Sequence, residues 1–286
     1  MMKGRWFIPA HREFRSDAKL DLSPPAYCSG VINKGQMISS ALSNFEDRQM
    51  QLVGIIGAME PEIAILKAQL SDMTTVKLAD YEFYKGRLAD TDVVLVQSGI
   101  GKVASAVATT LLISQFKPDC VINTGSAGGF DPELNVGDVV ISSEVRHHDV
   151  DVTAFGYEIG QVPRMPAGFT AHPALISAAE QSITTLGFCK TKKGLITTGD
   201  VFMCQPERIA KTRAQFPTML AVEMEGAAIA QACYQLNTPF VVIRSLSDIA
   251  GKESPSSFEA YLEIASKNSS AMVLELLKNL KTVQLN

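Results

Sequence analysis

The chain has 286 residues, of which 46% are hydrophobic and 20% charged, and its formal net charge is −4. This composition supplies a substantial core, and the length allows one large domain or two small ones. It gives no electrostatic footprint for nucleic acid, no apolar run long enough for a bilayer, and no Cys/His spacing for a disulfide framework or a zinc site. The five cysteines are widely spaced, and buried free thiols in a reducing cytoplasm are their simplest account.

Residues 1–49 carry Trp6, the Pro24-Pro25 pair and scattered charges without a sustained helix or strand period. They contain no apolar core of a secretory signal and read as an unstructured N-terminal extension, with Met50 the expected effective start of the fold. The apolar run 51–57 is a buried strand. It leads through Gly57-Ala58-Met59-Glu60-Pro61-Glu62 into a helix over 63–70, whose first turn suits Pro61. This join is neither a dinucleotide fingerprint nor a P-loop, and it delivers carboxylates to a strand end. Glu62 is the acid to watch there, although an acid in a first helical turn also simply complements the helix dipole.

Residues 81–88 and 93–97 read as a hairpin about the turn 89–92. Ser98-Gly99-Ile100-Gly101-Lys102 then opens an alanine-rich helix over 103–116. A buried strand over 119–123 ends in the glycine-rich turn Thr124-Gly125-Ser126-Ala127-Gly128-Gly129, which would let a ligand approach the backbone. A strand from 136 to 142 leads to the polar segment Arg146-His147-His148-Asp149. Adjacent histidines on a strand face opposite ways, so metal binding by His147 and His148 is disfavoured. Residues 153–168, rich in Gly and Pro, form a long loop suited to a lid or a subunit contact.

A helix over 173–186 precedes a strand over 190–198, which is followed by Gly199-Asp200-Val201-Phe202-Met203. Phe202 there is either core or a stacking surface for a flat ligand. After a helix over 206–215, Met219-Leu220-Ala221-Val222-Glu223-Met224-Glu225 runs from a short buried strand into a helix of small residues. Two acids at a strand's carboxyl end lie where α/β sheets bind ligands, with helix capping as the plainer alternative. A last buried strand over 240–244 is followed by Ser245-Leu246-Ser247-Asp248, and an amphipathic helix over 258–280 closes the chain.

The strand ends together offer Glu62, Ser126, Glu223, Glu225 and Asp248 with Arg244, equipment for acid–base work on a neutral or cationic polyhydroxylated substrate. Four segments in order, Gly54-Ile55-Ile56-Gly57-Ala58-Met59-Glu60-Pro61-Glu62, Asn123-Thr124-Gly125-Ser126-Ala127-Gly128-Gly129, Ala221-Val222-Glu223-Met224-Glu225 and Arg244-Ser245-Leu246-Ser247-Asp248, resemble the 5′-methylthioadenosine/S-adenosylhomocysteine nucleosidase family of the purine nucleoside phosphorylase superfamily. The resemblance covers residues 50–280. It implies an α/β fold, a three-layer α/β/α sandwich around a twisted mixed sheet, in one nucleosidase domain over 50–286.

It also implies irreversible hydrolysis of the N9–C1′ bond of methylthioadenosine, S-adenosylhomocysteine and 5′-deoxyadenosine, as in methionine salvage, with no cofactor or metal. Glu62 would activate water, with Ser126 and Arg244 positioning it. Asp248 would protonate N7 of the leaving adenine, which requires a pKa above the free value of about 3.9. Glu225 and Met224 would hold the ribose, with Glu223 beside it or serving as a structural partner. Phe202 and the Met203 backbone would take the adenine. Ile100, Met59 and Phe258 would line the 5′-alkylthio groove, and Gly128 and Ser247 belong to the substrate-binding set. Val152, Phe155 and Pro163 would complete a neighbouring subunit's site, which implies a homodimer. The rivals are a purine nucleoside phosphorylase, a futalosine-type hydrolase and a nucleoside-binding module without turnover. Asn123 argues against the first, because a phosphorylase would carry Arg there.

Overall fold

The computed structural model describes residues 52–187, 189–250, 254–281 and 283–285. The expectations for residues 1–49 and for the start at Met50 lie outside this set. In chain order the strands are β1 (Leu52–Gly57), β2 (Ser71–Leu78), β3 (Tyr81–Leu88), β4 (Thr91–Gln97), β5 (Cys120–Gly129), β6 (Val139–His147), β7 (Phe169–Thr170), β8 (Thr191–Thr198), β9 (Met219–Glu223) and β10 (Phe240–Ile249). The helices are α1 (Glu60–Ala68), α2 (Lys102–Phe116), α3 (Pro173–Leu186), α4 (Pro206–Gln215), α5 (Gly226–Gln235) and α6 (Ser254–Leu280).

All ten strands join one mixed sheet, in the order β2-β3-β4-β1-β5-β10-β6-β8-β9 with β7 paired to β6. Helices α1, α3 and α6 pack together against it, and α2 and α5 form a second pair, giving the three-layer α/β/α arrangement. Because both sheet faces are covered, the central strands are buried along their length instead of alternating. Their side chains, from Val53 and Ile55 through Val121 and Ile122 to Val241 and Ile243, make the main core.

The sheet also curls back on itself. One edge of β5 pairs with β10 throughout, while the other pairs first with β1, up to Ile56 and Asn123, and then with β9, from Gly128 and Val222 onward. Between those two partners β5 lacks a strand neighbour on that edge among the described residues. The Ser126 N–H in this gap donates to the Glu62 carboxylate instead. The opening thus follows from strand topology, and β1, β5, β9 and β10 all bring residues to it.

Several boundaries differ from those read in the sequence. Residues 124–129 continue β5 as extended strand and do not turn. Strand β10 runs on to Ile249, so Asp248 lies within it, beside a register shift between Leu246 and Asp248. Arg146 and His147 likewise belong to β6. Strand β2 gave no sequence signal: it is the outer edge of the sheet, exposed over Ser71–Lys77, and has no buried face to impose a period. Among the described residues no helix is long and apolar enough to cross a membrane.

Candidate active site

A cavity of about 210 Å³ opens at the gap in β5. Glu62, Glu223, Glu225 and Asp248 reach its wall, and no Lys, Arg or His does so among the described residues. Met59, Ile100, Ser126, Gly128, Phe202, Met203, Met224, Ser247 and Phe258 complete the polar and apolar lining. Every substrate-contact candidate from the sequence except Arg244 therefore faces one space.

Glu62 lies on the first turn of α1 and is 1% exposed. Its Oε2 accepts the N–H groups of Ala58 (2.9 Å) and Met59 (3.0 Å), which caps its own helix. Its Oε1 accepts the Ser126 N–H at 2.8 Å and the Ser126 hydroxyl at 2.9 Å. The plain reading of Glu62 as a helix-end acid thus holds for Oε2, while Oε1 turns to Ser126 at the cavity wall. Gly125 is glycine because of this packing: a Cβ there would sit 2.7 Å from Glu62 Oε1 and also strike the Arg244 guanidinium.

Asp248 is 3% exposed and stands opposite Gly128 in the β5–β10 register. The register shift beside it aims its side chain at the cavity. Ser247 Oγ lies 3.1 Å from Asp248 Oδ1 and 3.4 Å from the Ala127 carbonyl oxygen.

Glu223 ends β9 and Glu225 is the residue before α5. Glu223 Oε2 accepts the N–H groups of Glu225 (2.9 Å) and Gly226 (2.7 Å) and pairs with the Arg244 guanidinium, while its Oε1 accepts the Thr198 hydroxyl. Its hydrogen bonds within the protein make it a structural partner first. Arg244 lies behind the cavity wall, 1% exposed. Its Nη2 donates to Asn123 Oδ1 at 2.7 Å and reaches Glu225 Oε2 at 3.4 Å, and its Nη1 donates to the Ser126 carbonyl oxygen at 3.3 Å. The water-positioning task drawn for Arg244 becomes indirect on this geometry, because the guanidinium braces the carboxylates and β5 from behind. Burial pushes the Glu225 carboxyl up to about 7, with Arg244 pulling against the shift and Glu223 reinforcing it. The Gly101 N–H also holds this carboxylate, donating to Oε1 at 2.9 Å.

Phe202 and Phe258 meet edge to face at 5.8 Å, and Phe202 remains 40% exposed, leaving a ring face at the cavity mouth. Val152, Phe155 and Pro163 are not in this lining: Phe155 is 81% exposed on the loop after β6, and Pro163 is exposed beside it. His147 reaches Gln231 Oε1 at 3.1 Å and the His148 ring packs on Gly199, so the two diverge as strand alternation requires. Among the described residues no group of His, Cys, Asp and Glu is arranged to hold a metal. Sequence reasoning missed Thr198, Gly101 and the structural duty of Asn123. Each acts across a distance of at least 25 residues in the chain, through groups with no motif of their own.

The model of the phosphorylase superfamily matches residues 52–278. A 5′-methylthioadenosine/S-adenosylhomocysteine nucleosidase of Pseudoalteromonas translucida is 71% identical over 82% of this chain and 99% of its own. A crystal structure of such a nucleosidase from Colwellia psychrerythraea, in complex with adenine, superposes with a TM-score of 0.80 at 64% identity, covering 81% of this chain and 96% of that one. The Neisseria meningitidis nucleosidase, in complex with methylthio-immucillin-A, gives a TM-score of 0.79 at 49% identity over 80% and 99% of the two chains. With the fold, the cavity and these matches in agreement, the chain belongs to the 5′-methylthioadenosine/S-adenosylhomocysteine nucleosidase family of the phosphorylase superfamily.

Proposed function

We propose that the protein hydrolyses the N9–C1′ bond of 5′-methylthioadenosine and S-adenosylhomocysteine, and of 5′-deoxyadenosine, releasing adenine and the 5-substituted ribose. The observation that carries this reading is the pairing of Glu62, hydrogen-bonded to Ser126, with Asp248 around one cavity that four carboxylates and no described cation reach. A phosphate nucleophile would meet carboxylates and no described cation in the lining, whereas water meets a base.

In the proposed reaction Glu62, oriented by the Ser126 N–H and hydroxyl, takes a proton from the water that attacks C1′. The N9–C1′ bond breaks as Asp248 gives its proton to N7, so the purine leaves as a neutral base. Glu225 accepts the ribose hydroxyls and its charge favours the cationic sugar of the transition state, while Met224 packs on the same sugar. The adenine stacks on Phe202 and meets the Met203 backbone, with Gly128 and Ser247 beside it. Met59, Ile100 and Phe258 supply an apolar groove for the 5′ substituent. Arg244 and Glu223 act by holding Glu225 in place.

The family match over 52–278 supports residues 50–286 as a single nucleosidase domain. Cys120 and Cys233 are buried, which suppresses their ionisation and suits a reducing cytoplasm, whereas Cys189 is half-buried and Cys204 exposed, against the expectation of buried thiols. A homodimer is supported by the exposed apolar residues Val103 and Val107 on α2, Tyr234 at the end of α5 and Phe155 on the loop. The test is incubation with each nucleoside with and without phosphate. Adenine and free 5-substituted ribose are expected at the same rate in both. A product that is a ribose 1-phosphate, or adenine release that needs phosphate, would return the protein to the phosphorylases.

A further inference from the structure

Asp149 lies outside the cavity, two residues beyond the end of β6, yet it ties together the two loops that carry Ile100 and Phe202. Its Oδ1 accepts from Lys102 Nζ at 2.6 Å and its Oδ2 accepts the Asp200 N–H at 3.0 Å. Asp200 answers by accepting the Lys102 N–H on its own Oδ1 at 2.8 Å. The three residues form a closed ring of hydrogen bonds across the start of α2, the end of β6 and the turn after β8. The side chains of Lys102 and Asp149 are only 21% and 22% exposed, so the ion pair is partly sheltered from screening.

This ring bears on the sugar-binding carboxylate through Gly101. Gly101 precedes α2 with φ +95, a conformation that glycine adopts without strain. Its N–H donates to Glu225 Oε1 at 2.9 Å, and its Cα faces Asp200, whose Oδ1 would stand 3.0 Å from a Cβ placed there. Lys102, next in sequence, is held at both its backbone N–H and its ammonium group. The backbone donor that orients Glu225 is therefore clamped by residues outside the cavity lining.

We propose that Asp149 is a positioning residue for substrate binding: acting through Lys102 and Asp200, it fixes the Gly101 N–H on Glu225 and sets the Ile100 and Phe202 loops at their working separation. The inference rests on the reading of Glu225 as the ribose acceptor. Glu225 is faced by Arg244 from β10, Glu223 from β9, Glu62 from α1 and the Gly101 N–H. Asp149 is faced by Lys102, His148 and the Asp200 N–H. Burial works against the Asp149 charge, but Lys102 and the Asp200 N–H outweigh it and hold the carboxyl below the usual range, so the ring stays intact through the neutral region. Losing the Gly101 donor would destabilise ionised Glu225.

The test compares Asp149→Asn, Lys102→Met, their combination and Lys102→Arg in the full chain. Above the acid limb, where Glu225 stays ionised in every variant, the KM for methylthioadenosine in Asp149→Asn and Lys102→Met is expected to rise about tenfold with kcat changed by less than about threefold, the pattern of lost uniform binding. The acid limb of kcat/KM should move to higher pH in both. The double variant should be no worse than either single one, because all three remove the same contact, and Lys102→Arg should stay near wild type. In the ligand-free protein, amide exchange over residues 99–102 and 199–201 should accelerate in Asp149→Asn and Lys102→Met. Unchanged KM, pH profile and exchange in these two variants would overturn the proposal. A wild-type protein that does not cleave methylthioadenosine would instead count against the functional reading, and the exchange experiment would still decide whether the ring clamps Gly101.

Discussion

Both oxygens of the Glu62 carboxylate are committed, Oε2 to the first turn of α1 and Oε1 to Ser126. An amide in its place must turn its NH₂ toward backbone N–H groups on one side or the other. Glu62→Gln is therefore expected to lose stability as well as turnover, by about 1–3 kcal/mol for the unmet donors. Asp248→Asn is the cleaner probe of catalysis. It should lower kcat by about 10²- to 10⁴-fold, or roughly 3–5 kcal/mol of barrier, with its melting temperature near wild type. Adenine release at the wild-type rate would remove Asp248 from the mechanism. Glu225 gives a pH test with a definite sign. Its ionised form is lost as pH falls through about 7, so kcat/KM should fall roughly tenfold per unit below that point. The Glu225→Gln variant should show a low, flat limb there. A Glu225→Gln profile that keeps the wild-type slope would assign the limb to another group.

At the level of elements, β5 shows why the site was only partly legible beforehand. Glu62, Ser126, Glu225 and Asp248, which reach the cavity, are legible because each lies close to the end of a short buried run, which the residue pattern marks. The run Thr124–Gly129 read as a turn because glycine usually signals one, but these glycines serve an extended strand crowded by side chains from α1 and β10. Which neighbours crowd it is a matter of tertiary packing, and no local period encodes that. The full length of β10 was hidden likewise, since Ser245, Ser247 and Asp248 break an apolar pattern that the bulge accommodates. Gly125→Ala puts the point to the test. The added methyl would press on Glu62 Oε1 and Arg244 together, so it should cost about 1–3 kcal/mol by overpacking. For a fold of this size that is roughly 3–10 °C in melting temperature. Activity should fall further than stability explains, because the same shift moves Glu62, the proposed base. A variant with both properties of wild type would mean that β5 yields at little cost.

On the scale of the whole molecule, the surface of α2 and α5 raises the question of assembly. Val103 is 77% exposed and Phe155 81%, and Val107, Tyr234 and Leu236 also face solvent in the chain described. A groove of about 630 Å³ runs between these helices, lined by Val103, Val107, Val162, Ala228 and Leu236 among others. A clustered apolar surface of this kind marks an interaction site more often than bare solvent contact. Its position matters because α2 begins at Lys102, two residues after Ile100 of the cavity wall. A second copy docked on this face would stiffen that wall and would bring its Phe155 loop toward the groove proposed for the 5′ substituent. Sedimentation equilibrium is expected to give twice the chain mass. Val103→Asp places a charge on the apolar face and should shift the protein toward monomer. Because the wall loses its support, the KM for methylthioadenosine should rise with the monomer fraction and fall again at high protein concentration. Phe155→Ala should leave the mass at that of the dimer while weakening binding of nucleosides with long 5′ substituents. A monomeric wild-type protein of full activity would show that the cavity is complete within one chain.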